Sequence, residues 1–245
     1  MRQLLVPRFL LFCGLKRRAP LDRVWHCPSG IQVTGFGRHG PPFGRSRAIF
    51  LFLANQTAES GPAFRATFDD IAAMLGVTWR RCTFEEHFLR VVESTYQPGE
   101  PACGLCRVPP WSRRSLDVIR RAHYCEADGF FQIEVGDELV PHAHNSFTCP
   151  LGPVTELLQA GRLQALDLYL WYHWKLSRDD QIPVDPFGPD GPFGLAPIAR
   201  ASIKRRASLR EAHATVTQIW PDCPFRIVGR VDDTMLACEP DTPTP

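Results

Sequence analysis

The stretch RLQALDLYLWYHWKLS, residues Arg162–Ser177, decides how this chain is read. Its sixteen residues hold no Gly or Pro and one acid, Asp167, within a dense run of Leu, Tyr and Trp. Leu163, Leu166, Leu170 and His173 recur at helical spacing, while Leu168, Trp171 and Tyr172 fill much of the opposite side. A helix that is apolar round most of its circumference has to be buried, in a protein core or in a membrane. This one falls short of the roughly 20 apolar residues that a bilayer span needs, and its ends are polar. It reads as the central helix of a compact domain, with His173 a satisfied core histidine rather than a base.

Downstream, Gln181–Val184 is β-like and DPFGPDGPFG (185–194) is a loop. A long helix is expected from about Pro197 to Trp220, with Leu209, Ala212, Val216 and Ile219 as its apolar stripe. FRIVGRV (225–231), Asp232-Asp233 and TMLACEP then read as a closing hairpin. Upstream, a short helix is expected over Val154–Ala160, and Val140–Pro153 has the composition of a loop between domains. The first half repeats the order of helices followed by a β-ribbon. SRAIFLFLANQTAES (46–60) predicts a helix ended by Gly61-Pro62. Thr67 with Asp69-Asp70 marks an N-cap and an acidic first turn, leading through FDDIAAML to Gly76 as a C-terminal stop. A third helix is expected from about Thr78 to Ser94, with Phe84, Phe88, Val91 and Val92 on one face. LDVIRRAHYCE (116–126) and FFQIEVG (130–136) read as strands joined at Asp128-Gly129, a two-residue hairpin signal. No sequence repeat at fixed period accompanies this similarity of the halves.

At 245 residues and 44% hydrophobic content the chain is an ordinary globular length and composition for one large or two small domains. A net charge of +2 conceals its distribution. Residues 1–66 carry ten Arg and Lys against two acids, whereas acids exceed cations over 67–147 and over 148–245. Within the last third, Arg200, Lys204, Arg205, Arg206 and Arg210 stand together with no acid among them. Cations near a helix N-terminus oppose its dipole, so five of them there are explained by phosphates that neutralise them. The plainer reading is a solvated charged face. Residues 1–42 read as a loosely ordered basic arm: the apolar start is broken by Pro7 and Arg8, and Lys16-Arg17-Arg18 stands where a secretory cleavage site would need small residues.

Phe68–Arg81, FDDIAAMLGVTWRR, carries small Ala72 and the turn glycine Gly76 where a helix-turn-helix needs them. Thr78, Trp79, Arg80 and Arg81 would then open the helix that faces the major groove. Glu85 falls where such a helix usually has an apolar residue. Other motifs carry less. Gly35-Phe36-Gly37-Arg38-His39-Gly40 fits G-x-G-x-x-G but runs into Pro41-Pro42, not into a helix that could hold a pyrophosphate. No G-x-x-x-x-G-K-[ST] is present, so the chain is not expected to power unwinding itself. Cys103 and Cys106 form one pair, with His142, His144 and Cys149 as the nearest cluster, in a spacing unlike a finger; no metal and no cofactor are expected. His142-Ala143-His144 lies in a Pro-flanked loop, unlike the strand-borne pair of a metal-dependent nicking enzyme. Nine scattered cysteines, an odd number, point to a reducing compartment.

Several of these segments together resemble the plasmid-encoded replication initiators of the RepA type. Ala165–Trp171, ALDLYLW, is the most specific match, similar to the run that opens that family's C-terminal winged helix. HGPPFGRSRAIFLFLA (39–54) is similar to its Y-G-S-x-A-R lead, with Phe43-Gly44 in place of Tyr-Gly. Met74–Val77 fits its LGL turn, Phe130–Val135 the strand before its second domain, and Phe225–Pro240 its closing hairpin. Two stretches depart from the pattern: after Val77 the Gly-rich basic segment is missing, and Asp185–Gly194 stands in place of a short helix. The resemblance covers roughly residues 40–240. It implies a mainly α fold with small β-ribbons (α+β) and tandem winged helices, one over 43–145 and one over 150–240. It implies a non-enzymatic cytoplasmic bacterial protein that binds double-stranded, repeated origin DNA (iterons) and recruits host replication proteins such as a helicase loader, with a homodimer a possible form. The DNA-contacting residues would be Thr78, Trp79, Arg80, Arg81, Arg200, Lys204, Arg205, Arg206 and Arg210. A winged-helix transcription regulator is the alternative, and a rolling-circle nicking enzyme the third reading.

Overall fold

The computed structural model describes residues 2–7, 25–26, 31–35, 46–76, 78, 80–92, 94–98, 116–117, 119–125, 129–136, 146–178, 185–186, 203–228 and 235–238. The fold is α+β: helices packed with small antiparallel sheets. In the first half, helices α1 (Ser46–Ser60), α2 (Phe68–Leu75) and α3 (Arg81–Val92) accompany a three-stranded sheet. Its strands are β4 (Ala63–Thr67), β8 (Phe130–Val135) and β7 (Ile119–Cys125), in that order. A second sheet orders β2 (Trp25–His26), β3 (Ile31–Gly35), β5 (Ser94–Pro98) and β6 (Leu116–Asp117). In the second half come α4 (Leu151–Gln159), α5 (Leu163–Leu176) and α6 (Ile203–Ile219). The hairpin of β10 (Phe225–Val228) and β11 (Met235–Cys238) follows.

Two helices are buried on nearly every side. On α5, Ala165 through Tyr172 are buried without a break, followed by Trp174 and Lys175. Tyr172 stacks on Phe225 with centroids 4.2 Å apart, and Trp171 lies against the same ring, so the closing hairpin is fastened to α5 by aromatic faces. The Lys175 ammonium lies 5.5 Å from the Trp171 ring and 5.2 Å from that of Trp174, a cation–π arrangement that suits a buried amine. On α1, Ala48 through Asn55 are buried, with aliphatic and Phe side chains in place of Tyr and Trp. The apolar residues of both halves belong to one continuous core.

The arm reading of the N-terminus fails at residues 3–7. They form β1 (Gln3–Pro7), antiparallel to β9 (Ser146–Pro150), with Leu4 and Val6 fully buried. The Asn55 side chain brackets this strand: its Oδ1 accepts from Leu5 N at 3.0 Å, and its Nδ2 donates to Leu5 O at 2.8 Å. Strand β9 and the start of α4 also occupy the stretch expected to be loop. Pro150 closes a strand of a two-stranded pair, and Pro153 sits in the first turn of α4, where a missing N–H costs no hydrogen bond.

Other boundaries shift by less. Helix α3 starts at Arg81, so Thr78 and Arg80 precede it. The β7–β8 ribbon forms, but its last pair is Cys125 with Phe130, so the turn is longer than the dipeptide Asp128-Gly129. Gly129 has a φ of 67° and donates its N–H to Cys125 O. Gln181–Val184 lies outside the described residues, as do 197–202 at the expected start of α6.

Candidate nucleic-acid interface

The path from α2 to α3 is shaped by its ends. Thr67 caps α2 by accepting from Asp70 N, while the Asp70 carboxylate accepts from Thr67 N, a reciprocal capping box. Gly76 ends α2 in the left-handed region with φ 62°, its N–H donating back to Ala72 and Ala73. Thr78 and Arg80 are exposed beyond it. The Arg80 carbonyl accepts from Phe84 N, so the first turn of α3 hangs from Arg80. The roll of α3 is set by Phe84, Phe88 and Val91, which are buried. Phe84 packs edge-on to Phe68, stacks with Phe88 and meets Phe131 of the sheet. Glu85, at the position noted for its departure from a helix-turn-helix, is exposed along with Glu86. Trp79 lies outside the described residues, and of Arg81 only the backbone, as the first residue of α3, is described.

The second cluster rides on α6. Leu209, Ala212 and Val216 are buried and Ile219 is half-buried, the stripe read from the sequence. His213 and Tyr172 share a hydrogen bond of 2.8 Å, which joins α6 to α5. Burial and the nearby Arg226 guanidinium both lower the pKa of His213. Lys204, Arg205 and Arg206 stand in the first turn of α6, before the buried stripe begins, and their side chains lie outside the description. Arg210 is exposed one turn later. Glu211 beside it pairs with Arg162 at 3.3 Å, across exposed surface. Arg200 lies outside the described residues.

The sequence reading missed a third surface. The register of the three-stranded sheet aligns Arg65, Gln132 and His123 in one row, all exposed, and Ala63, Glu134 and Arg121 in the next. Glu134 reaches Arg120 at 3.3 Å and Arg121 at 4.0 Å. The Arg65 guanidinium lies over the Phe130 ring, 4.8 Å from its centroid. A shallow groove crosses this face between Arg65, Arg121, Gln132 and Glu134. The signal was the exposed-buried alternation of AFRAT, which aligns with its partners only once the register is known.

Among the described residues no group of three or more His, Cys, Asp or Glu stands close enough to hold a metal ion. Cys103, Cys106, His142 and His144 lie outside the described residues. Cys149 is buried in β9, and burial pushes its thiol up to about 12, far from a reactive thiolate. His173 is half-buried against the core, and its Nε2 has no hydrogen-bond partner among the described residues. The ring stacks on Trp220 at 4.6 Å and meets Tyr169 edge-on, and burial lowers its pKa to about 4, so it is neutral at pH 7. No helix among the described residues is long and apolar enough to cross a membrane.

No family model matches the chain, and no curated protein sequence matches it. Among solved structures, the fold is similar to that of the Pi initiator protein, crystallised in complex with iteron DNA. The similarity has a TM-score of 0.50 at 12% sequence identity and covers 87% of this chain and 99% of that one.

Proposed function

We propose that this chain is a plasmid replication initiator, which binds repeated origin DNA through two winged-helix-like units and recruits host replication proteins such as a helicase loader. The observation that carries this reading is the fold likeness to the Pi initiator protein, which extends over both halves of the chain. The basic starts of α3 and α6 agree with it. In this reading residues 43–145 and 150–240 are the two units, and the protein works by binding in the bacterial cytoplasm, not by catalysis. Thr78, Trp79, Arg80 and Arg81 enter a major groove, where an arginine head matches guanine O6 and N7. Arg200, Lys204, Arg205, Arg206 and Arg210 neutralise phosphates. In this reading the row Arg65, Gln132 and His123, on the exposed face of the three-stranded sheet, reaches the flanking backbone.

The test is replication in trans. A plasmid carrying directly repeated sequences from beside the gene, but lacking the gene, should be maintained only when the protein is supplied. Sequence-specific binding without maintenance would favour the transcription regulator instead. Failure to bind any duplex above random DNA would overturn both.

A further inference from the structure

The turn before α3 is gripped by the second half of the chain. Thr155 and Gln159 stand one turn apart on α4, on the same side of the helix. The Thr155 hydroxyl donates to Leu75 O at 2.8 Å, and the Gln159 side-chain amide donates to Gly76 O. These are consecutive carbonyls at the C-terminal end of α2, where a helix leaves its acceptors without intrahelical partners. The contact is also steric: a Cβ at Gly76 would run into the Thr155 side-chain methyl. Glycine is therefore required here twice over, by its positive φ and by the approach of α4.

The grip cannot roll. On the other side of α4, Val154, Leu157 and Leu158 are buried in the core. The tight turn at Gly161, with φ 65°, joins α4 to α5, and α5 carries α6 through the Tyr172–His213 bond. An unbroken chain of packed elements thus runs from the residues just before Thr78 and Arg80 to the basic start of α6. Strand β1, held by Asn55 and paired with β9, ties the two halves together separately.

We infer that Thr155 and Gln159 are positioning residues that set α3 at a fixed offset from α6, and so fix the distance along DNA between the two contacts. This inference rests on the DNA-binding reading given above. A capping role alone would stabilise α2 and leave the spacing preference unaltered. Two contacts held rigidly accept one separation, since a displaced base pair moves one of them along and around the helix.

The test uses the full chain and duplexes that it selects from a random library. Footprinting defines two protected segments, and base pairs are then added or removed between them. The parent should lose roughly tenfold or more in affinity for each single displacement, as for a lost base contact. The double variant Thr155→Val, Gln159→Leu should lose less than about threefold on the same series, with half-site affinity within about twofold of the parent. Thr155→Ser, which keeps the donor, should retain the parent's preference. If the double variant does not fold, each single variant removes one donor and should flatten the spacing profile in part. A double or single variant that folds and discriminates spacing like the parent overturns the inference while the DNA reading stands. So does a parent that selects a sequence but tolerates every spacing. A parent that selects no sequence overturns both.

Discussion

Helices α3 and α6 begin alike and are held differently. Each opens on cations at the end of the helix where backbone N–H groups already place positive charge, an arrangement that favours an anionic partner. Helix α3 is fixed at its start, by α4 behind the Gly76 turn and by Phe84 in the core one turn on. Along α6 the buried residues Leu209, Ala212 and Val216 follow the basic first turn. A fixed start suits the reading of base edges, which needs side chains placed to a fraction of an ångström. A basic first turn suits phosphates, whose contacts set the position of a protein on the duplex without reading its sequence.

The severest way to break this comparison is to remove the platform beneath α6. Leu170 on α5 is buried, and Leu170→Ala should cost about 2–5 kcal/mol. Thermal unfolding should show the loss together with loss of DNA binding, although no DNA-facing group is changed. Leu170→Met, nearly conserving volume, should cost less than about 1.5 kcal/mol and keep binding. If Leu170→Ala melts like the parent, α5 is not the platform that its burial implies.

Next in size is the reading by α3. Arg80→Ala and Arg81→Ala should each remove about 1–3 kcal/mol of discrimination between selected and random duplexes, with much of the non-specific binding intact. Equal losses on both duplexes would place these arginines on the backbone and dissolve the contrast with α6.

A pH titration separates the platform from the interface. His173 has its pKa lowered to about 4 by burial, so the folded state takes up its proton below the unfolded value near 6.5. Stability should be full above about pH 6.5 and fall as the pH drops from there toward 4, by about 1–3 kcal/mol. His213, lowered in the same direction, adds to the slope. In His173→Phe, denaturant unfolding between pH 7 and 4 should show a shallower decline. A parallel decline would assign the effect to other groups.

The smallest expected effect is the most specific to α6. Arg205→Ala with Arg206→Ala should lower the log–log salt slope of binding by about 1–2 units and weaken selected and random duplexes alike. An unaltered slope would leave the cluster a solvated surface.

What could be read in advance was local. The α5 segment has no breakers and too many large apolar residues for any exposed helix, and it is buried as expected. Thr67 and Gly76 mark the ends of α2 by local chemistry that spans only a few residues and act as read, while Asp70, read as part of an acidic first turn, also closes a capping box. What could not be read was set by partners distant in sequence. QLLVP looks like part of a loose arm until β9 is beside it. Thr155 and Gln159 are ordinary residues of an exposed helix face until α2 ends against them. The exposed row of the sheet needs the β4–β8 register, which no single strand encodes. For the candidate interface, helical stripe and charge clustering located α6, and turn chemistry located the approach to α3. The mechanical link between the two was not legible.

The pairing of β1 with β9 also orders events in time. During synthesis Leu4 and Val6 leave the ribosome long before Phe147 and Cys149, the strand they lie beside. At about 5–20 residues per second, the interval is roughly 7–30 s. Strand β1 therefore lacks its partner strand while α1, α2, α3 and the three-stranded sheet are being made, with Asn55 of α1 the bracket available to it before β9. A strand made early is thus paired late, and its own tie between the two halves forms only then.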